Sequence, residues 1–80
     1  VPTANALRAK LGEALRDRRL ELGWSQETLA EALGVSVSAI SRRETGARAM
    51  SVDAYTTHAL ALGLSPNDTL NWAVRWCSAN

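Results

Sequence analysis

Residues 25–46, SQETLAEALGVSVSAISRRETG, carry two helix starts and two helix stops in close succession. Ser25 is a capping residue ahead of a helix from Gln26 to Leu33, in which Leu29, Ala30 and Leu33 face inward, and Gly34 supplies the stop. Ser36 repeats the cap for a helix from Val37 to Glu44 or Thr45, closed by Gly46. The first helix spans barely two turns and cannot stand alone. The turn between them, Gly34-Val35-Ser36, is tight enough to fix the second helix across the first.

The second helix has little to bury. At about 100° per residue, Val37, Ser41, Thr45, Ser38 and Arg42 form one arc, while Ala39, Arg43 and Ile40 face the other way. Only Ile40 is a firm core anchor. The outer arc is therefore an exposed surface held by neighbouring elements. Small residues at Val37, Ser38 and Ser41 let the backbone approach a partner closely, and Arg42 offers the two-pronged donor set that matches a guanine edge. Val37 suits a thymine methyl. The alternative is that Ser and Arg simply solvate an exposed helix, and only context decides between the two.

Working outward, Leu7, Leu11, Ala14, Leu15 and Leu22 recur on one helical face between Thr3 and Leu22, and Gly23 ends that helix. Ser51 caps a helix over Val52 to Leu62, closed by Gly63. Ser65-Pro66 places a cap before a proline at the first helical position, so a fifth helix is expected from Pro66 to about Cys77. Trp72, Val74 and Trp76 alternate with polar or small residues, which leaves a strand as the alternative for residues 70–77. The fold class predicted is all-α, five short helices in a single domain over residues 1–80.

Composition narrows the function. At 80 residues with 46% hydrophobic and 21% charged, the chain reads as one small globular domain, and its apolar runs are far too short to span a bilayer. The single Cys77 cannot form an intrachain disulfide and no secretory leader is evident, so a cytoplasmic location in a bacterial host cell is expected. The net charge of +1 is uninformative, because nucleic-acid binding needs a basic patch rather than a large total. His58 has no partners at metal-ligand spacing, and one His, one Cys and no glycine-rich phosphate loop leave no catalytic set. No enzyme activity, cofactor, metal or small-molecule substrate is expected. The charged residues of the first helix read as a solvated face laced with pairs such as Glu13 with Arg16 and Arg18 with Glu21, and Trp24 reads as a core plug.

The run from Leu11 to about Leu64, LGEALRDRRLELGWSQETLAEALGVSVSAISRRETGARAMSVDAYTTHALALGL, resembles the helix-turn-helix domain of the lambdoid phage repressor and Cro family, also called the xenobiotic response element family. The matching pieces are SQETLAEALGVS, SAIS with Ile40, and RRETG with Glu44 and Gly46. The resemblance implies that residues 25–46 are the motif, with the third helix as recognition helix in the major groove. It places Val37, Ser38, Ser41 and Arg42 at base-reading positions, and Ser25, Gln26, Ser36 and Arg48 at phosphate contacts. It also implies an inward ion pair between Arg19 and Glu44. Two positions depart from the pattern. Arg43 stands where the family usually has a large apolar residue, and Met50 where it often has proline. The stem of Arg43 is expected to lie along the domain while its guanidinium reaches water, phosphate or an acid such as Asp53.

The implied partner is a double-stranded DNA operator, bound by a homodimer whose recognition helices lie roughly 34 Å apart. The expected dimer surface is the tail, residues 66–80, through Leu70, Trp72, Val74 and Trp76, which offer more apolar surface than one helix can hide in its own core. The function expected is that of a transcriptional regulator, most simply a phage or bacterial repressor. The alternative on the same scaffold is an antitoxin or other protein-binding module.

Overall fold

A computed structural model describes residues 2–79, and residues 1 and 80 lie outside the described part of the expected domain and tail. Among the described residues there are five α-helices and no strands: α1 (Ala4–Glu21), α2 (Gln26–Leu33), α3 (Val37–Thr45), α4 (Val52–Ala61) and α5 (Pro66–Ala79). Residues 70–77 are helical, so the strand alternative is set aside. The alternation there reflects a helix with apolar groups on two flanks, which a short window cannot tell from a strand.

The caps expected at Ser25, Ser36 and Ser51 are present, and Thr3 is a further one that the sequence reading does not single out. Side-chain oxygens of Thr3, Ser25, Ser36 and Ser51 accept from the backbone amides of Ala6, Thr28, Ala39 and Ala54, each three residues on. Gly34 and Gly46 take the left-handed conformation, φ 68° and 76°, and the following amides of Val35 and Ala47 reach back to the carbonyls of Ala30 and Arg42. α4 stops at Ala61, one residue short of the expected end, because Leu62 already serves as its cap, and α5 continues beyond Cys77 to Ala79.

α1 lies against both α3 and α5, α2 against α3 and α4, and α4 against α5. The centre is built from Leu15, Leu29, Ala30, Ile40, Ala59 and Leu62, with Trp24, Leu33, Val35 and Tyr55 packed around them. Ile40 is fully buried and Ala39 nearly so, which is the whole apolar anchorage of α3.

The charged face of α1 departs from the expectation. Lys10 is buried, its Nζ 3.7 Å from the centroid of the Trp76 ring and 5.1 Å from that of Trp72. Its ion-pair partner is Glu13 at 3.2 Å, so Glu13 turns toward Lys10 and not toward Arg16. Arg18 does pair with Glu21 at 3.8 Å, but its Nε also donates to the Leu62 carbonyl at 2.9 Å and ties α1 to the end of α4. These differences come from α4 and α5, whose arrival beside α1 no local pattern reveals.

Candidate nucleic-acid interface

The far end of α3 is held by charge. Arg19 of α1 donates from Nε to Glu44 Oε2 at 2.6 Å and from Nη2 to Oε1 at 3.1 Å, and its Nη1 donates to the Trp24 carbonyl at 2.7 Å. Both side chains are almost wholly buried, and the hydrogen bonds to Glu44 outweigh desolvation to raise the Arg19 pKa above its ordinary value. Gln26, the first residue of α2, donates from Nε2 to Glu44 Oε1 at 3.0 Å. One carboxylate therefore joins the end of α1, the start of α2 and the last turn of α3.

Two glycines let α3 come this close. A Cβ on Gly12, in the middle of α1, would overlap the carbonyl oxygen of Arg43 and lie 2.6 Å from that of Glu44. A Cβ on Gly46 would lie 2.7 Å from Cα of Ala9. Gly46 was legible as a helix stop. Gly12 in an amphipathic helix looks only like a weak point, and its role needs the α1–α3 crossing to be seen.

On the opposite side of α3, Val37, Ser38, Arg42 and Thr45 are exposed and Ser41 is half-buried, so the base-reading set predicted from the sequence shares one outer face. Thr45 Oγ1 donates to the carbonyls of Ser41 and Arg42, at 3.1 and 3.3 Å. Arg42 forms no ion pair among the described residues. Ser36 Oγ accepts from the Ala39 amide at 3.0 Å, which leaves its hydroxyl proton for an outside acceptor. Ser25 Oγ accepts from the Thr28 amide at 3.1 Å and shares a hydrogen bond with the Thr28 hydroxyl at 2.9 Å. Gln26 has one amide proton on Glu44 and one left over. Arg48 stands exposed in the loop after α3.

Arg43 belongs to a different surface. Its Nη1 lies 3.3 Å from Nδ1 of His58 on α4, and not on Asp53. Because a guanidinium only donates, Nδ1 accepts, so the His58 proton sits on Nε2, which is buried without a hydrogen-bond partner among the described residues. Burial first, and then the charge of Arg43, lower the His58 pKa to about 4 despite an opposing pull from Glu44.

The four tail residues do not share a face. Ala73 is fully buried and sets the inward direction of α5. Trp72 and Trp76, each 45% exposed, lie on the shoulder that meets Lys10 of α1, whereas Leu70 and Val74 fall on the other shoulder by helical spacing.

A family model described as a helix-turn-helix domain matches residues 10–72. The chain belongs to the helix-turn-helix domain family. The run from Leu11 to Leu64 that resembles the phage repressor and Cro family falls inside this match. Among solved structures, the domain is similar to the clp gene regulator ClgR of Corynebacterium glutamicum, with 36% identity, a TM-score of 0.81, and coverage of 91% of this chain and 78% of that one. It is similar to the restriction-modification controller protein C.AhdI of Aeromonas hydrophila, with 36% identity, a TM-score of 0.71, and coverage of 76% and 92%. A hypothetical transcription factor, NHTF from Neisseria, has 31% identity and a TM-score of 0.75 over 88% of this chain and 80% of its own. No curated protein sequence matches the domain. Among the described residues no helix is long and apolar enough to cross a membrane, and no group of three or more His, Cys, Asp or Glu is placed to hold a metal ion.

Proposed function

We propose that the chain is a sequence-specific double-stranded DNA-binding transcriptional regulator that lays α3 in the major groove. The observation that carries this reading is the outer face of α3, where exposed Arg42 stands among Val37, Ser38 and Ser41 on a helix whose inner side is pinned by Ile40 and Glu44. Arg42 reads a guanine edge, and the three small residues let the helix sit deep in the groove. Ser25, Gln26, Ser36 and Arg48 contact phosphates on either side. The leftover protons of Ser36 and Gln26, at the starts of α3 and α2, reinforce the helix amides that already favour an anion there. The likeness to a gene regulator and a controller protein supports the regulatory role. The simplest mode is repression by occlusion of promoter DNA, as in a phage or bacterial repressor, with two copies joined through α5 so that two recognition helices meet successive turns of the duplex.

Selection of bound sequences from a random duplex pool, followed by titration at several salt concentrations, tests the reading. An enriched motif and a falling log K with log salt are expected. Arg42→Ala should cost about 1–3 kcal/mol at one base pair and relax preference there, whereas Arg48→Ala should weaken all sequences alike and reduce the salt slope by about 0.9. Equal losses on every sequence for Arg42→Ala would contradict its base-reading role. A pool without enrichment and without salt dependence would refute DNA binding and leave the aromatic shoulder of α5 as the binding surface of a protein-recognition module.

A further inference from the structure

Beside α3, at the start of α4, lies a solvent-open cavity of about 410 Å³ whose lining includes Val35, Ala39, Arg43, Arg48, Met50 and Ser51. Two arginines share its wall. Burial first, and then the charge of Arg48, hold Arg43 below its ordinary pKa. Among the described residues no carboxylate forms an ion pair with either one. Arg43 instead has His58 as its side-chain partner, and a histidine with a pKa of about 4 brings no negative charge and is neutral at physiological pH. Asp53, in the first turn of α4, is exposed and is not part of the lining.

Half-burying Arg43 without a counter-ion, on the same cavity wall as the exposed charge of Arg48, is unfavourable unless an anion completes the site. With Nη1 held on His58, the guanidinium of Arg43 keeps its Nε–H and Nη2 edge for a two-pronged contact. Ser51 Oγ accepts from the Ala54 amide at 3.1 Å, so its hydroxyl proton is available on the same wall.

We propose that Arg43 and Arg48 form a cradle for a single phosphate group, with the Ser51 hydroxyl as a third donor. The phosphate is either one of the duplex backbone flanking the groove or a free phosphate. The first source rests on the DNA reading above, the second does not. Arg43 thereby adds affinity without sequence choice, in contrast to Arg42 beside it.

The test has two arms. In the first, the isotopically labelled chain is titrated with inorganic phosphate against chloride at matched ionic strength, and the Nε–H resonances of Arg43 and Arg48 are followed. They should shift together and saturate, and Arg43→Leu should abolish the response of Arg48. In the second, the salt slope for the selected duplex should fall by about 0.9 in Arg43→Leu, with sequence preference unchanged. Leucine is apolar, as the resembled family usually is at this position, and Arg43→Gln, which removes the charge but keeps a polar tip, replaces it if the leucine variant does not fold. A changed slope, with or without a response to free phosphate, supports the cradle on duplex backbone. A joint response to phosphate with an unchanged slope assigns it to free phosphate. A joint response in a chain that binds no DNA upholds the cradle while the proposed function fails. No joint response together with an unchanged slope overturns the proposal.

Discussion

Glu44→Gln removes one charge and almost no volume, and it probes the junction on which α3 is mounted. In the wild type the Arg19 guanidinium is nearly fully buried and has two hydrogen bonds to Glu44 and one to the Trp24 carbonyl. A glutamine still accepts one hydrogen bond, and the Trp24 carbonyl remains, but the buried cation loses its counter-charge. Breaking a buried pair from one side costs about 3–5 kcal/mol, and the surviving hydrogen bonds place this case near about 3. A domain of 80 residues has about 4–12 kcal/mol in all, so the loss is a large share. It corresponds to a fall in Tm of about 12 °C or more. Urea unfolding followed by tryptophan fluorescence measures it. The double variant Arg19→Met with Glu44→Leu should be less destabilised than the sum of the single variants, since it strands no charge. A Glu44→Gln midpoint indistinguishable from wild type would refute the argument that this pair holds α3.

Gly12→Ala should destabilise by about 1–3 kcal/mol, because the new methyl overlaps the carbonyls at the end of α3, although alanine is favoured over glycine in a helix by about 1 kcal/mol. A neutral or stabilising result in thermal unfolding would show that the crossing of α1 and α3 is looser than described. His58 is neutral in the fold and has a pKa of about 4 there against 6.5 unfolded, so the unfolded chain binds more protons between those values. Its contribution, about 3 kcal/mol, is complete above pH 6.5 and lost as pH falls toward 4, and His58→Leu should flatten that part of the stability profile. Parallel profiles for variant and wild type would rule it out. Trp72→Ala with Trp76→Ala should convert the proposed dimer to monomer by light scattering while the far-ultraviolet spectrum holds, and an unaltered dimer would exclude the tryptophan shoulder as the interface.

Helix positions were legible because each capping residue and each stop is a local chemical event. Ser25, Ser36 and Ser51 accept from amides three residues away, and Gly34 and Gly46 close turns within their own neighbourhood. What crosses between helices was not legible. Lys10 sits 62 positions before Trp72, and its type and spacing mark it as a surface charge until α5 folds over it. Gln26 opening α2 reads as a phosphate contact, and nothing near it in sequence announces Glu44 as its acceptor. The doublet Arg42-Arg43 did carry a readable signal. Adjacent helical residues point about 100° apart, and an arginine on the inner arc of α3 marks a position that needs a polar partner. The side-chain partner, His58 on α4, appears only in three dimensions.

The buried, stability-bearing residues of α3 and the exposed residues proposed to read DNA lie on separate sides of one helix. The inner residues Ala39, Ile40 and Glu44 carry the packing and the buried charge, and they meet partners from α1 and α2. Val37, Ser38 and Arg42 make no described side-chain hydrogen bond and line no part of the core, so substitutions there should change stability by only about 0.5 kcal/mol or less. A chain this small has little stability to exchange for a new specificity. On the proposed function, reading residues placed where the fold does not need them would remove that conflict, because sequence preference could change at these three positions without loosening the junction that holds α3. Ser41 is the exception. It is half-buried beside Ile40, and a larger residue there would have to displace the neighbouring surface of the domain before it reached a base.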